Sequence, residues 1–175
     1  IKNKGDFAMK LMGYKRENGT YGIRNYLLII PASVCASETA VNIAKLVNGA
    51  IAIPHQHGCC EIGDDFETTK RTLVGFGKNP NVGAVLVVGL GCEGIQAKEI
   101  ADEIAESGKP VDYIVIQDEC GTCKTVAKGV EIAGKMSREL AKQNKTEFDI
   151  SEIILGLECG GSDPTSGLAS NPTIG

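Results

Sequence analysis

Residues 51–60, IAIPHQHGCC, set two histidines and two cysteines into six positions behind an apolar run. Imidazoles carry protons near neutral pH and bind metals, and thiolates are nucleophiles and soft ligands. A pair of histidines two residues apart beside two cysteines is therefore a metal-ligand or catalytic composition. The plainer alternative is a packed loop rich in sulfur, because free cysteine is among the most buried residue types. Four more short stretches carry similar chemistry: ASVCAS with Cys35, GLGCEG with Cys92 and Glu93, DECGTCKT with Cys120 and Cys123, and ECGGSD with Glu158, Cys159, Ser162 and Asp163.

The elements that position these stretches follow from the apolar pattern. YLLIIP (26–31), AIAIP (50–54), GAVLVVGL (83–90), DYIVIQ (112–117) and EIILGLE (152–158) read as strands. Between them, residues 37–49, 64–76, 95–108 and 123–143 carry apolar residues at helical spacing. Runs such as VLVVGL are apolar at consecutive positions, which requires both strand faces to be covered, as in a parallel sheet between helices. The expectation is an α/β domain: an open, doubly wound, Rossmann-like and mostly parallel sheet of about five strands, helices on both faces. A mixed sheet with one antiparallel edge is the alternative. Every cysteine lies just past an expected strand, so a parallel sheet would gather all seven on the edge where ligands of such folds bind.

Narrower motif readings are weaker. Cys120-Gly121-Thr122-Cys123 is a CxxC without the second pair that a zinc ribbon needs. It fits a redox or nucleotide-binding module less well than its spacing suggests, since it follows the fourth strand rather than the first. GLGCEG superficially matches a dinucleotide fingerprint but follows the third strand. Its glycines, Gly91 among them, leave backbone amides for an anion such as a carboxylate. The run ECGGSDPTSGLASNP offers bare backbone, hydroxyls and a carboxylate, the composition of a polyol or carboxylate pocket, with Gly160, Gly161, Ser162, Ser166 and Asn171 as candidate substrate contacts. A loop without such a role is its alternative.

Composition narrows the function classes. The 175 residues, 42% hydrophobic, suffice for one domain with a real core. With 18 basic and 22 acidic side chains and no dense basic run, nothing points to nucleic acid or an anionic membrane. No apolar run approaches the roughly 20 residues of a membrane span, and the start IKNKGDFAMK lacks a signal-peptide core, so a cytoplasmic address is expected. Residues 1–12 read as a linker or cloning remnant, and residues 13–175 as one α/β domain cut from a longer catalytic region.

The stretches GYKRENGTYGIRNYLLIIP, PHQHGCC, NPNVGAVLVVGLGCE and ECGGSDPTSGLASNP, in this order, resemble the altronate and galactarate dehydratases, a family that includes the large subunit of sulfolactate sulfo-lyase. The resemblance spans residues 13–175 and the first half of the family's main catalytic region. It implies a metal-assisted lyase that removes water, or sulfite, from a hydroxy-acid by β-elimination, giving from a sugar acid a 2-keto-3-deoxy acid. It places His55, His57, Cys59, Cys92, Glu93, Glu158, Cys159 and Asp163 on family motif positions, and Arg24 and Asn25 on an RN signature. Cys60 and the CxxC depart from that pattern. Candidate catalytic residues are His55, His57, Glu93 and Asp163, and candidate metal ligands are His55, His57, Cys59, Cys92 and Cys159. The metal is expected to be Fe²⁺, with an iron–sulfur cluster on Cys59, Cys92 and Cys159 as the alternative. Arg24 is read as structural. Expected partners are a small hydroxy-acid, a downstream region and a small SAF-type domain or subunit, with homo-oligomerisation left open. A chain without those parts is expected to be inactive alone.

Overall fold

The structure, a computed structural model, describes residues 9–158, 160, 161 and 163–175. Four of the five expected strands assemble as a parallel sheet of β3 (Tyr26–Pro31), β4 (Ala50–Ala52), β5 (Val82–Gly89) and β6 (Val111–Val115) in the order β4-β3-β5-β6. Before them the chain forms β1 (Lys10–Lys15) and β2 (Tyr21–Gly22), and near the end β7 (Thr146–Asp149).

Helices α1 (Ser37–Leu46) and α4 (Thr122–Leu140) cover one face of the parallel sheet, and α2 (Gly63–Lys78) and α3 (Ala97–Ala105) the other. Alternate residues of one strand serve different layers. Leu27, Ile29, Ala84, Leu86 and Val88 pack beneath α1 and α4, whereas Leu28, Ile30, Val85 and Val87 pack beneath α2 and α3. This is why VLVVGL is apolar at every position: β5 is buried along its whole length. Among the described residues no helix is long and apolar enough to cross a membrane.

Two expectations about the sheet are corrected. EIILGLE is not a fifth strand: residues 150–152 make a 3-10 turn and 153–158 run on without regular structure, with Ile154 and Leu155 79% and 76% exposed. A short apolar run states that a segment needs cover without stating which strand supplies it. In addition, β1 pairs antiparallel with β2 and with β7 in a separate three-stranded sheet. Residues 10–12 are part of β1. β2 has only two residues, and β1 and β7 are short and carry charged side chains, so they give no strand signal in the sequence.

The two sheets are tied at the amino end of the parallel strands by a buried cation. Arg16 donates from Nε to Pro80 O at 2.7 Å, from Nη1 to Asn25 Oδ1 at 2.9 Å and from Nη2 to Arg24 O at 3.1 Å. Asn25 in turn donates to Leu140 O and Gln143 Oε1. Arg16 is the buried arginine here, while Arg24 is exposed and contributes its backbone.

At the other end, Cys35 follows β3, Cys59 and Cys60 follow β4, Cys92 follows β5, and Cys120 and Cys123 follow β6. Because these strands are parallel, all six lie beyond the same sheet edge, and all six are exposed. The seventh, Cys159, lies outside the described residues, as does Ser162.

Candidate functional site

The HQHGCC loop leaves β4 and is anchored against the end of β3 through His55. Its Nε2 stands 2.8 Å from Pro31 O, and its Nδ1 stands 3.2 Å from the backbone nitrogen of His57. A carbonyl only accepts and an amide only donates, so both contacts are met by one neutral tautomer, with the proton on Nε2. Ser37 Oγ donates to His55 O, and Val34 N donates to His57 O. The ring nitrogens of His55 are therefore both engaged in holding the loop. Gly58 follows with φ +88°, and a Cβ there would run into the Ala32 carbonyl. Only glycine allows the loop to lie this close to β3.

His57 is differently placed. Its side chain is 68% exposed, and its Nδ1 lies 3.3 Å from Oε1 of Glu61, a side chain only 16% exposed. Cys60 makes this approach possible: at φ +59° it turns the chain so that Glu61 returns beneath the ring just before α2 begins. Burial raises the pKa of the Glu61 carboxyl, but the Thr69 hydroxyl, the Gly58 amide and the His57 ring outweigh it, so the group titrates below its ordinary value. Oε2 of Glu61 is buried and has no hydrogen-bond partner among the described residues. Ser33 Oγ, at the end of β3, is in the same condition.

His55, His57 and Glu61 line a cleft of about 500 Å³ whose other wall is α2, with Asp65, Thr68, Thr69 and Thr72 beside the apolar Leu73 and Phe76. Sequence reasoning missed Glu61. Its spacing from His57 is that of helical neighbours, but residues 57–61 are a loop, so nothing in the pattern marks the pair.

Two thiols follow His57 in the same loop. Cys59 and Cys60 have their sulfurs 3.8 Å apart. The Cys60 thiol, followed by Cys35 and a small effect of burial, pushes the Cys59 thiol above its ordinary pKa. A raised thiol is mostly neutral near pH 7 and a poorer nucleophile and ligand.

The loop after β5 is organised by Glu93. This carboxylate is buried and accepts from the backbone amides of Leu90 at 2.9 Å and Gly91 at 2.6 Å. The anion received by these amides is thus the chain's own side chain rather than an open position for substrate. Gly91 sits at φ +122°, and Cys92 is exposed at the tip of the turn.

Asp163 is exposed, and its Oδ1 accepts from the backbone and the hydroxyl of Thr165 at 2.7 and 2.5 Å, which holds its carboxyl below the usual range. Gly160, Gly161, Ser166 and Asn171 are exposed or partly exposed and do not line the His57 cleft. Nor do Cys92, Glu93 or Asp163. Among the described residues no three of the His, Cys, Asp and Glu side chains are grouped to hold a metal ion.

A family model described as D-galactarate dehydratase/altronate hydrolase, second domain, matches residues 13–141. The chain belongs to this family. A second model of the same group, D-galactarate/altronate dehydratase, C-terminal, matches residues 150–175, so the exposed apolar run after β7 falls in the segment matched to the next region. The β subunit of (2R)-sulfolactate sulfo-lyase from Chromohalobacter salexigens is 35% identical over 164 residues, covering 94% of this chain and 41% of that protein. Altronate dehydratase from Bacillus subtilis is 34% identical, and that from Escherichia coli 32%; each match covers 93% of this chain and 34% of the relative. The chain thus spans about two fifths or less of the length of these relatives. No solved structure matches it.

Proposed function

We propose that this chain forms the amino-terminal part of the catalytic region of a hydro-lyase that acts on a sugar acid such as altronate or galactarate. The observation that carries the mechanism is the division of labour between the histidines. His55 spends both ring nitrogens on the loop, whereas His57 lines the cleft and its Nε2 has no hydrogen-bond partner among the described residues.

In this reading Nε2 of His57 takes the proton α to the substrate carboxylate. The C–H electron pair becomes the Cα=Cβ bond, the β-hydroxyl leaves with a proton as water, and the enol product tautomerises to a 2-keto-3-deoxy acid. Thr68, Thr69 and Thr72 supply hydroxyls suited to a polyol chain on the α2 side of the cleft. His55 and Glu93 enter as positioning residues: one fixes the loop after β4, the other the loop after β5. Fe²⁺ on ligands drawn from His55, His57, Cys59, Cys92 and Cys159, or an iron–sulfur cluster on Cys59, Cys92 and Cys159, remains a proposal. No step above depends on it.

The relative of highest identity among those named favours a second reading, elimination of sulfite from sulfolactate by the same proton abstraction. One experiment separates the two. A polypeptide carrying this chain with its downstream region is offered altronate, galactarate and sulfolactate, and the 2-keto product and sulfite are measured. A keto acid from a sugar acid without sulfite supports the first reading. Sulfite from sulfolactate alone supports the second, and no product from any of them removes both.

A further inference from the structure

We infer that Glu61 is the positioning residue of His57: its carboxylate holds the hydrogen on Nδ1, so that the neutral ring presents the Nε2 lone pair to the cleft. This rests on the reading of His57 as the proton acceptor and supplies what that reading lacks, a reason for the right nitrogen to be free.

Three observations carry it. The backbone of His57 is pinned on both sides, its amide by His55 Nδ1 at 3.2 Å and its carbonyl by Val34 N at 2.8 Å, so the ring retains only its side-chain torsions. The group that meets Nδ1 is a carboxylate at 3.3 Å, which when ionised is acceptor-only. Finally, the anchored member of the pair is Glu61, whose side chain is 16% exposed against 68% for the ring. The partner of one imidazole nitrogen decides which nitrogen carries the proton, and a carboxylate is the strongest common partner for that purpose. Two histidines two residues apart are thereby set in opposite tautomers: Nε2–H at His55, fixed by Pro31, and Nδ1–H at His57, fixed by Glu61.

The chain has only two histidines, so ¹⁵N-histidine labelling and long-range proton–nitrogen correlation read both tautomers directly. With the rings neutral, wild type is expected to show His55 as Nε2–H and His57 as Nδ1–H. Glu61→Ala is expected to release His57 toward Nε2–H and leave His55 unchanged. A wild-type His57 already in the Nε2–H form overturns the inference, even where Glu61→Ala fails to fold, and so does a variant in which His57 keeps its tautomer. In the longer polypeptide, Glu61→Ala is expected to lower kcat by about tenfold or more with KM changed far less; an unchanged kcat also overturns it. The tautomer spectra do not depend on turnover. Expected tautomers without any keto acid or sulfite remove the lyase reading and leave the positioning role of Glu61 standing.

Discussion

Nδ1 of His55 lies 3.2 Å from the backbone amide nitrogen of His57, and this contact separates two side chains that look equivalent in the sequence. With Nε2 of His55 bound to Pro31 O, the first histidine belongs to the loop and the second to the cleft. Stability and activity should respond to them in opposite ways. His55→Ala leaves a partly buried carbonyl and an amide unpaired and is expected to cost about 1–3 kcal/mol. His57→Ala removes an exposed ring and should stay within about 0.5 kcal/mol. Urea unfolding of the two variants checks this.

Gly58 is the next test of the loop. Alanine there meets both a positive φ and the Ala32 carbonyl, so Gly58→Ala is expected to lose at least about 1–3 kcal/mol and to displace the histidine loop from β3. Thermal unfolding measures the loss, and the ¹⁵N signature of His55 reports the displacement.

Glu93→Ala should loosen the turn after β5. It removes the acceptor of two backbone amides at a buried position, which is expected to cost about 2–4 kcal/mol, while Glu93→Gln keeps one acceptor oxygen and should lose less. Hydrogen exchange at the Leu90 and Gly91 amides separates this bracing role from one in chemistry, because only the former predicts faster exchange in both variants.

Lys109 predicts a pH dependence. Its ammonium is buried at the carboxyl end of α2, donating to Gly77 O at 2.9 Å and Asn79 O at 2.5 Å; burial first and the charge of Arg16 second push its pKa down to about 8. The folded form therefore binds fewer protons than the unfolded form between about pH 8 and the ordinary lysine value of 10.5. Stability rises with pH wherever the unfolded state binds more protons, so this group contributes increasing stability from about pH 8 upward and a constant penalty below it. Unfolding free energies of wild type and Lys109→Met across pH 7–10 should converge or diverge accordingly, with the wild-type curve gaining on the variant by on the order of 1–3 kcal/mol.

Much of this arrangement is legible before folding. The parallel sheet follows from strands apolar on both faces, as Leu86 and Val87 show by packing into opposite layers. The collection of thiols on one edge follows from Cys35, Cys59, Cys92 and Cys120 each trailing a strand. The rest is not local in sequence. β1 and β7 are separated by the whole parallel sheet and are held by pairing rather than by pattern. Ile154 and Leu155 read as buried, yet no strand among the described residues covers them. Glu61 is one acid among many until the left-handed turn at Cys60 folds it under His57. Glu93 looks like a free carboxylate until the turn at Gly91 brings two amides onto it.

The most direct test of the account is the rate of 2-keto acid release by His57→Gln in a polypeptide carrying this chain and its downstream region, measured against wild type on the sugar acid that wild type turns over. The account predicts a loss of about 10²-fold or more in kcat with the fold intact. A variant that releases keto acid at the wild-type rate would contradict it.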